Sequence, residues 1–495
     1  MISDAKSVFP VVVFDAADSW DSLVPLAARH LDSRGIERLR PVLDGKCQCV
    51  VIEREYIDRD YRDTFSHFHS KRFSTPDSRC VRLHFFSAPV TPDAISMGEQ
   101  AAVESYLGYS VIRPTKPNCI GRTLLQHTLR LDASAHLNKC EENVHLFGTR
   151  LTVDGFPFIS QDADATVCAQ SALWMLMRYY SNRYPTYSEI LPFQITNLAM
   201  RHEVGSRVYP SSGLYSWQLA EALRLQRFSP VVYSRKAFPK NFEHLLYTYI
   251  ESGLPLLITL PRHAVVGFGH VSDYTVPVPV GPGGATIAAP AFCYSSRFNQ
   301  GFVVNDDNKF PYQMLRRGGL VQPLDSAHSW ANIQEFIVPL PEKVFLTAEG
   351  VQTAMERILR DPVLGIPSSP ALAGKNLLLR LYLTSARSFK RSLRTRNMGN
   401  PVVEKIYRTL PIPHFIWICE IADYHEYVND RKVLGEVIWD ATRNAYEPDG
   451  WIARHFPESL AIDVGSALNG PQKFKTVSLA ANNSYFLFNS NLHSL

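Results

Sequence analysis

Gln161-Asp162-Ala163-Asp164-Ala165-Thr166-Val167-Cys168-Ala169-Gln170-Ser171-Ala172-Leu173-Trp174-Met175 joins a polar, turn-forming segment to an apolar run that opens with a cysteine. The change of pattern predicts a helix whose first turn carries Cys168. Backbone N–H groups in a first turn lack intrahelical partners, and the helix dipole is positive there. Both favour the thiolate, which is the nucleophilic form of cysteine. A free cysteine otherwise packs like a small apolar residue, so a catalytic reading of Cys168 needs support from elsewhere in the chain.

That support lies downstream. Phe242 to Ser252 has a helical pattern, with Leu245, Leu246, Tyr249 and Ile250 on one face and Gly253 and Pro255 as stop signals. Leu256-Leu257-Ile258-Thr259-Leu260 then reads as a short buried strand. After Pro261-Arg262 comes a second strand, His263-Ala264-Val265-Val266-Gly267-Phe268-Gly269-His270, headed by a histidine. Gly301-Phe302-Val303-Val304-Asn305-Asp306-Asp307-Asn308 predicts a third strand that runs into carboxylates. A cysteine at a helix start, a histidine on one strand and an acid at the end of the next suit nucleophilic catalysis. The imidazole takes the thiol proton, and the carboxylate orients the imidazole and stabilises the imidazolium.

The order of these features resembles the papain-like cysteine peptidases, and within them most closely the bacteriocin-processing (double-glycine leader) peptidases and related bacterial proteins. The resemblance rests on Gln161 before a Cys-x-x-Ser-Ala helix, the His-Ala-Val-Val strand and the strand ending in Asn305-Asp306. It also takes in Gly213 to Leu223, which looks like the family's substrate-side helix, and it covers residues 151 to 340, about two fifths of the chain. It implies an α+β fold: a papain-like core, in which a helix bearing Cys packs on an antiparallel sheet bearing His and Asp, flanked by mixed α/β regions. It further implies Cys168 as nucleophile, His263 as general base and then acid, Asp306 as orienting carboxylate, and Gln161 as oxyanion donor beside the Cys168 backbone N–H. Asp307 is an alternative to Asp306, because adjacent strand residues face opposite ways. His270, seven residues along the same strand, falls on the face opposite His263. The 43 residues from His263 to Asp306 leave room for an exposed loop at 276–284.

The whole chain has 495 residues, enough for two or three domains. The expected division is a mixed α/β region at 1–150, the peptidase-like domain at 151–340 and an α/β region at 341–495. A hydrophobic content of 45% with 20% charged residues is that of a globular protein. The formal charge of +4 is too small to imply a nucleic-acid partner. Apolar runs such as Phe9 to Phe14 fall far short of a membrane span. With no secretory signal pattern at the start and eight cysteines in no framework spacing, the expected compartment is the cytoplasm. The expected partner is a protein or peptide substrate, and the chemistry calls for no metal or organic cofactor. Cys47-Gln48-Cys49 and His67-Phe68-His69 read as alternating structural residues rather than as a zinc site.

In the flanks, helical patterns are expected over Trp20 to Arg34 and Ile57 to Arg72, the second as a solvated face. A helix is also expected over Thr347 to Arg360. Arg387, Lys390, Arg391, Arg394 and Arg396 form a basic cluster that reads as a solvated helix face. His414 to Ile421 and Val433 to Asp440 predict an antiparallel strand pair. That pair supports a rival reading: His425 followed by Asp440-Ala441-Thr442 looks like a transglutaminase-type core, in which Cys168 would serve an acyltransferase or deamidase. A further alternative is a papain-like module that binds protein without catalysis.

Overall fold

The computed structural model describes residues 9–14, 20–26, 31–131, 134–162, 167–199, 201, 214–277, 292–318, 325–443, 450–464, 474–479 and 484–494. Among these the chain forms fourteen α-helices and three large sheets, largely antiparallel, of five, eight and seven strands. The five-stranded sheet is a meander of Val11–Val13, Cys49–Tyr56, Cys80–Phe86, Tyr106–Ile112 and Ile120–Leu125. Its strands are rich in Val, Ile and Phe, which suit a pleated surface buried on one or both faces.

The eight-stranded sheet carries the histidine strand at its centre. His263–Ser272 pairs on one side with Asn299–Asn305 and on the other with Leu256–Leu260, both antiparallel. Beyond the end of Leu256–Leu260, Ala135–Leu137 takes over as neighbour, with His136 opposite His270. Gly269 permits that approach, since a Cβ there would lie 2.6 Å from the carbonyl oxygen of His136. Val266 stands opposite Asn305. In an antiparallel pair this register carries the residues after Asn305 alongside His263.

Against this sheet packs the helix Cys168–Arg183, whose residues from Ala169 to Tyr180 are all buried. A helix buried on every side over three turns lies in the interior, and its few polar members there, Gln170, Ser171 and Arg178, are buried with it. Here Trp174, Leu176 and Tyr179 share one core with Val266, Phe268 and Val303 of the eight-stranded sheet and with Val50, Leu83 and Ile120 of the five-stranded sheet. A buried ion cluster ties the same helix to the first sheet's flank. Asp60 accepts from Arg122 at 2.7 Å, Trp174 at 3.0 Å and Arg178 at 3.1 Å.

The seven-stranded sheet runs from Phe292–Tyr294 through Leu377–Ser385, Phe415–Asp423 and Gly435–Asp440 to Phe474–Ser478. The predicted strand pair over 414–440 is present, with Ile418 opposite Ile438. The helices Phe242–Glu251 and Ala348–Arg360 lie within a residue or so of their expected limits. Strand membership crosses positions 150 and 340. Ala135–Leu137 belongs to the middle sheet, and Phe292–Tyr294 joins the last one, parallel to Leu377–Ser385.

Three expectations are corrected. Trp20 to Arg34 does not form one helix among the described residues: Leu23–Leu26 and Ser33–Ile36 are separate short helices, and 27–30 lie outside the described residues. Pro25 and Gly35 are the residues that oppose a continuous helix. The basic cluster is not wholly solvated, because Arg396 is buried between Glu420 and Glu436, at 2.8 and 2.7 Å. The helix expected over Ile57 to Arg72 is shorter, Arg59–His67 followed by a separate turn at His69–Lys71, and it is solvated on one side only: Arg62 and His67 are exposed, whereas Tyr61, Thr64 and His69 are buried. The expected loop at 276–284 lies outside the described residues from 278 onward.

Candidate active site

Cys168 is the first residue of its helix. The preceding Val167 is extended and offers no side chain to cap it, and no acidic residue occupies the first turn. The positive dipole end of the helix at this turn favours a negative sulfur. All eight cysteines are free; Cys168 and Cys293 are half-buried, whereas Cys47, Cys49, Cys80, Cys119, Cys140 and Cys419 are buried.

His263 heads its strand after a turn in which Arg262 adopts positive φ. Its Nε2 lies 2.8 Å from Oδ1 of Asp306 and 3.8 Å from Oδ1 of Asp307. With Nε2 taken by the carboxylate, Nδ1 is the nitrogen left for the thiol, and Cys168 is near enough to His263 to favour the charged imidazole. Burial alone would lower the pKa of His263. The hydrogen bond to Asp306, the neighbouring Cys168 and the charges of Asp306 and Asp307 outweigh burial and raise it to about 10. Asp306 moves the opposite way: burial raises its pKa, but the bond to His263, that residue's charge and the N–H of Asn308 bring it below the ordinary value.

The two acids expected as alternatives are thus distinguished. Asp306 holds the imidazole, and its Oδ1 also accepts the Asn308 N–H at 2.9 Å. Asp307 is buried, with neither carboxylate oxygen completing a hydrogen bond of good geometry. Ser171, one turn along the helix from Cys168, lies beside it with its hydroxyl equally unmatched. Burial and the neighbouring charge of Asp306 push Asp307 up to about 7. A carboxyl this deep favours its neutral form.

Gln161 reaches the cluster from the other side, its Nε2 donating to Oδ1 of Asn308, whose own amide lies 3.5 Å from Nε2 of His263. The second N–H of Gln161 Nε2 is available for another acceptor. His328 adds a ring nearly parallel to that of His263, 5.9 Å away. Ligand atoms of His263, Asp306 and Asp307 lie within 4.8 Å of one another, so these three residues could also hold a cation. They are the only such group among the described residues, and Cys47, Cys49, His67 and His69 form none.

Sequence reasoning missed Arg38, Ser171 and Asn308. Arg38 donates to the carbonyls of Asp307 at 2.8 Å and Lys309 at 3.1 Å, holding the turn after Asp306. No local signal could reveal a contact across 269 positions. Ser171 was legible as the residue three positions after Cys168 on the same helix face. His270, by contrast, is bonded to Glu251 at 2.6 Å, away from the thiol. The rival pair lies apart from this cluster. His425 is exposed, and Asp440 accepts from the backbone and hydroxyl of Thr442.

No family model, no curated protein and no solved structure matches this chain.

Proposed function

We propose that this chain is a papain-like thiol hydrolase, a cysteine peptidase or close relative that cleaves a peptide or isopeptide bond through a thioester on Cys168. One observation carries the reading: a single imidazole, that of His263, is hydrogen-bonded to a buried carboxylate and lies near a helix-start thiol that favours its charged form. A papain-like core fits the arrangement, with the cysteine helix packed on the antiparallel sheet that bears the histidine and the acid.

The chemistry follows from the donors present. His263 takes the Cys168 proton, and the thiolate adds to the carbonyl carbon. The Cys168 backbone N–H and the free N–H of Gln161 receive the oxyanion. Collapse expels the amine, which takes its proton from His263, and leaves the thioester. His263 then removes a proton from water, which attacks the thioester and returns the thiol and a carboxylic acid. An amine in place of water would give acyl transfer by the same first half.

Iodoacetamide labelling of Cys168 at neutral pH, followed by mass spectrometry, tests the base. His263→Ala is expected to slow labelling by roughly 10²-fold or more, whereas His425→Ala leaves it at the wild-type rate. Equal labelling in the two variants would defeat the reading. Cys168→Ala used as a trap should retain a protein that the wild-type chain consumes.

A further inference from the structure

A cavity of about 460 Å³ lies between the eight- and seven-stranded sheets, at the far end of the strand that begins with His263. Its volume falls within the range of small-molecule sites, roughly 300–1,000 Å³. Glu251, His270, Tyr274, Arg380, Tyr427 and Arg431 are among its walls, and the proposed thiol chemistry uses none of them.

The charges in the wall are matched, with one exception. Glu251 accepts from His270 at 2.6 Å and from Arg380 at 2.6 Å. Arg380 also bonds Glu420 at 2.8 Å and the carbonyl of Phe488 at 2.6 Å. Arg431 forms no ion pair with any described carboxylate. It donates through Nη1 to the Tyr427 carbonyl at 2.9 Å, and its guanidinium carbon sits 3.3 Å from the centre of the Tyr274 ring.

The backbone at Arg431 adds an independent mark. This residue ends the helix Tyr424–Asp430 at φ 55° and ψ 40°. Left-handed C-terminal positions are normally filled by Gly or Asn, and a long side chain there costs on the order of 1 kcal/mol. Here the position is occupied by a guanidinium that lines the cavity.

A guanidinium lying flat on an aromatic ring keeps its N–H edge exposed, and that edge matches two oxygens of a carboxylate or phosphate. Around it, the rings of Tyr247, Tyr274, Tyr427 and Phe486 offer apolar contact. We propose that this cavity binds a small organic oxyanion, a carboxylate or phosphate monoester on an aromatic or apolar body, with Arg431 gripping the oxygens. The site is independent of the Cys168 chemistry.

Isothermal titration calorimetry on the full chain tests it, with benzoate and phenyl phosphate as probes and inorganic phosphate as the control lacking a body. At least one aromatic probe should bind about tenfold more tightly than inorganic phosphate, and which one does separates carboxylate from phosphate ligands. Arg431→Asn suits the left-handed backbone and removes the guanidinium, so it should fold and weaken that probe by about tenfold or more. Arg431→Lys keeps the charge without the fork and should weaken it by about threefold or more. Cys168 labelling should be unchanged in both variants. Failure of both aromatic probes to bind, parity with inorganic phosphate, or wild-type affinity in either variant would overturn the proposal.

Discussion

Nη1 of Arg38 donates to the carbonyl oxygen of Asp307 at 2.8 Å, so a residue near the start of the chain holds the turn that carries the acid of the candidate triad. Its Nε donates in turn to the carbonyl of Asn118, also at 2.8 Å, which joins this turn to the flank of the five-stranded sheet. Arg38 touches neither the sulfur nor the imidazole and acts as a positioning residue.

Arg38→Ala is therefore expected to lower stability by about 2 kcal/mol through lost charge-assisted bonds. It should also slow neutral-pH labelling of Cys168 by roughly tenfold, because Asp306 is no longer held against His263. Arg38→Lys should recover part of the stability. A labelling rate and pH profile identical to wild type in Arg38→Ala would remove the positioning role.

The His263–Asp306 pair predicts a pH window of stability. His263 has its pKa raised to about 10, so its contribution is complete below the unfolded value of 6.5 and is lost as pH rises through 10. Asp306 has its pKa lowered, so its contribution is present above 3.8 and is lost as pH falls below that. Asp306→Asn should cost roughly 3 kcal/mol between about pH 4 and 6.5. The difference from wild type should shrink toward pH 10, as measured by urea unfolding at a series of pH values.

Asp307 predicts the opposite sign. Its pKa is raised to about 7, so ionising it penalises the native state progressively as pH climbs from 3.8 to 7, and the penalty is complete above 7. Asp307→Asn should unfold at a higher temperature than wild type at pH 8, by the equivalent of roughly 2–4 kcal/mol, and match it near pH 4. A melting-temperature difference that does not vary with pH would show that Asp307 is not a strained acid.

Against the last sheet, Arg396 is 1% exposed and bridges Glu420 and Glu436, neither of which reaches solvent. Removing one partner strands buried charge, so Arg396→Ala should destabilise by roughly 3–5 kcal/mol. The double change Arg396→Met with Glu436→Leu should cost less than Arg396→Ala. Denaturant unfolding of the two variants gives the comparison directly.

Much of the candidate site was legible because its parts are local patterns. Cys168 stands where polar turn residues give way to a helical run, and His263 follows a Pro-Arg turn into an alternation of Val and Gly. Asp306 ends an apolar strand. Each position is set by neighbours within a few residues. The choice between Asp306 and Asp307 was not legible, because it depends on which face of the strand end meets the imidazole. The burial of Arg396 was equally hidden: a run of basic residues reads as solvated until Glu420 and Glu436, from two neighbouring strands of the last sheet, are brought to it.

By itself the sequence determined the helix that opens with Cys168, the strand headed by His263 and the neighbouring strand whose end leads into Asp306 and Asp307, since these follow from hydrophobic period and turn chemistry over short spans. Tertiary structure alone decided that Asp306 grips the imidazole while Asp307 is buried without a well-formed hydrogen bond, that Arg38 reaches the acid turn, and that Arg431 faces a cavity without a counter-ion. These outcomes depend on contacts between residues distant in sequence, whose strength is set by burial and exclusion of water, and no local pattern encodes those.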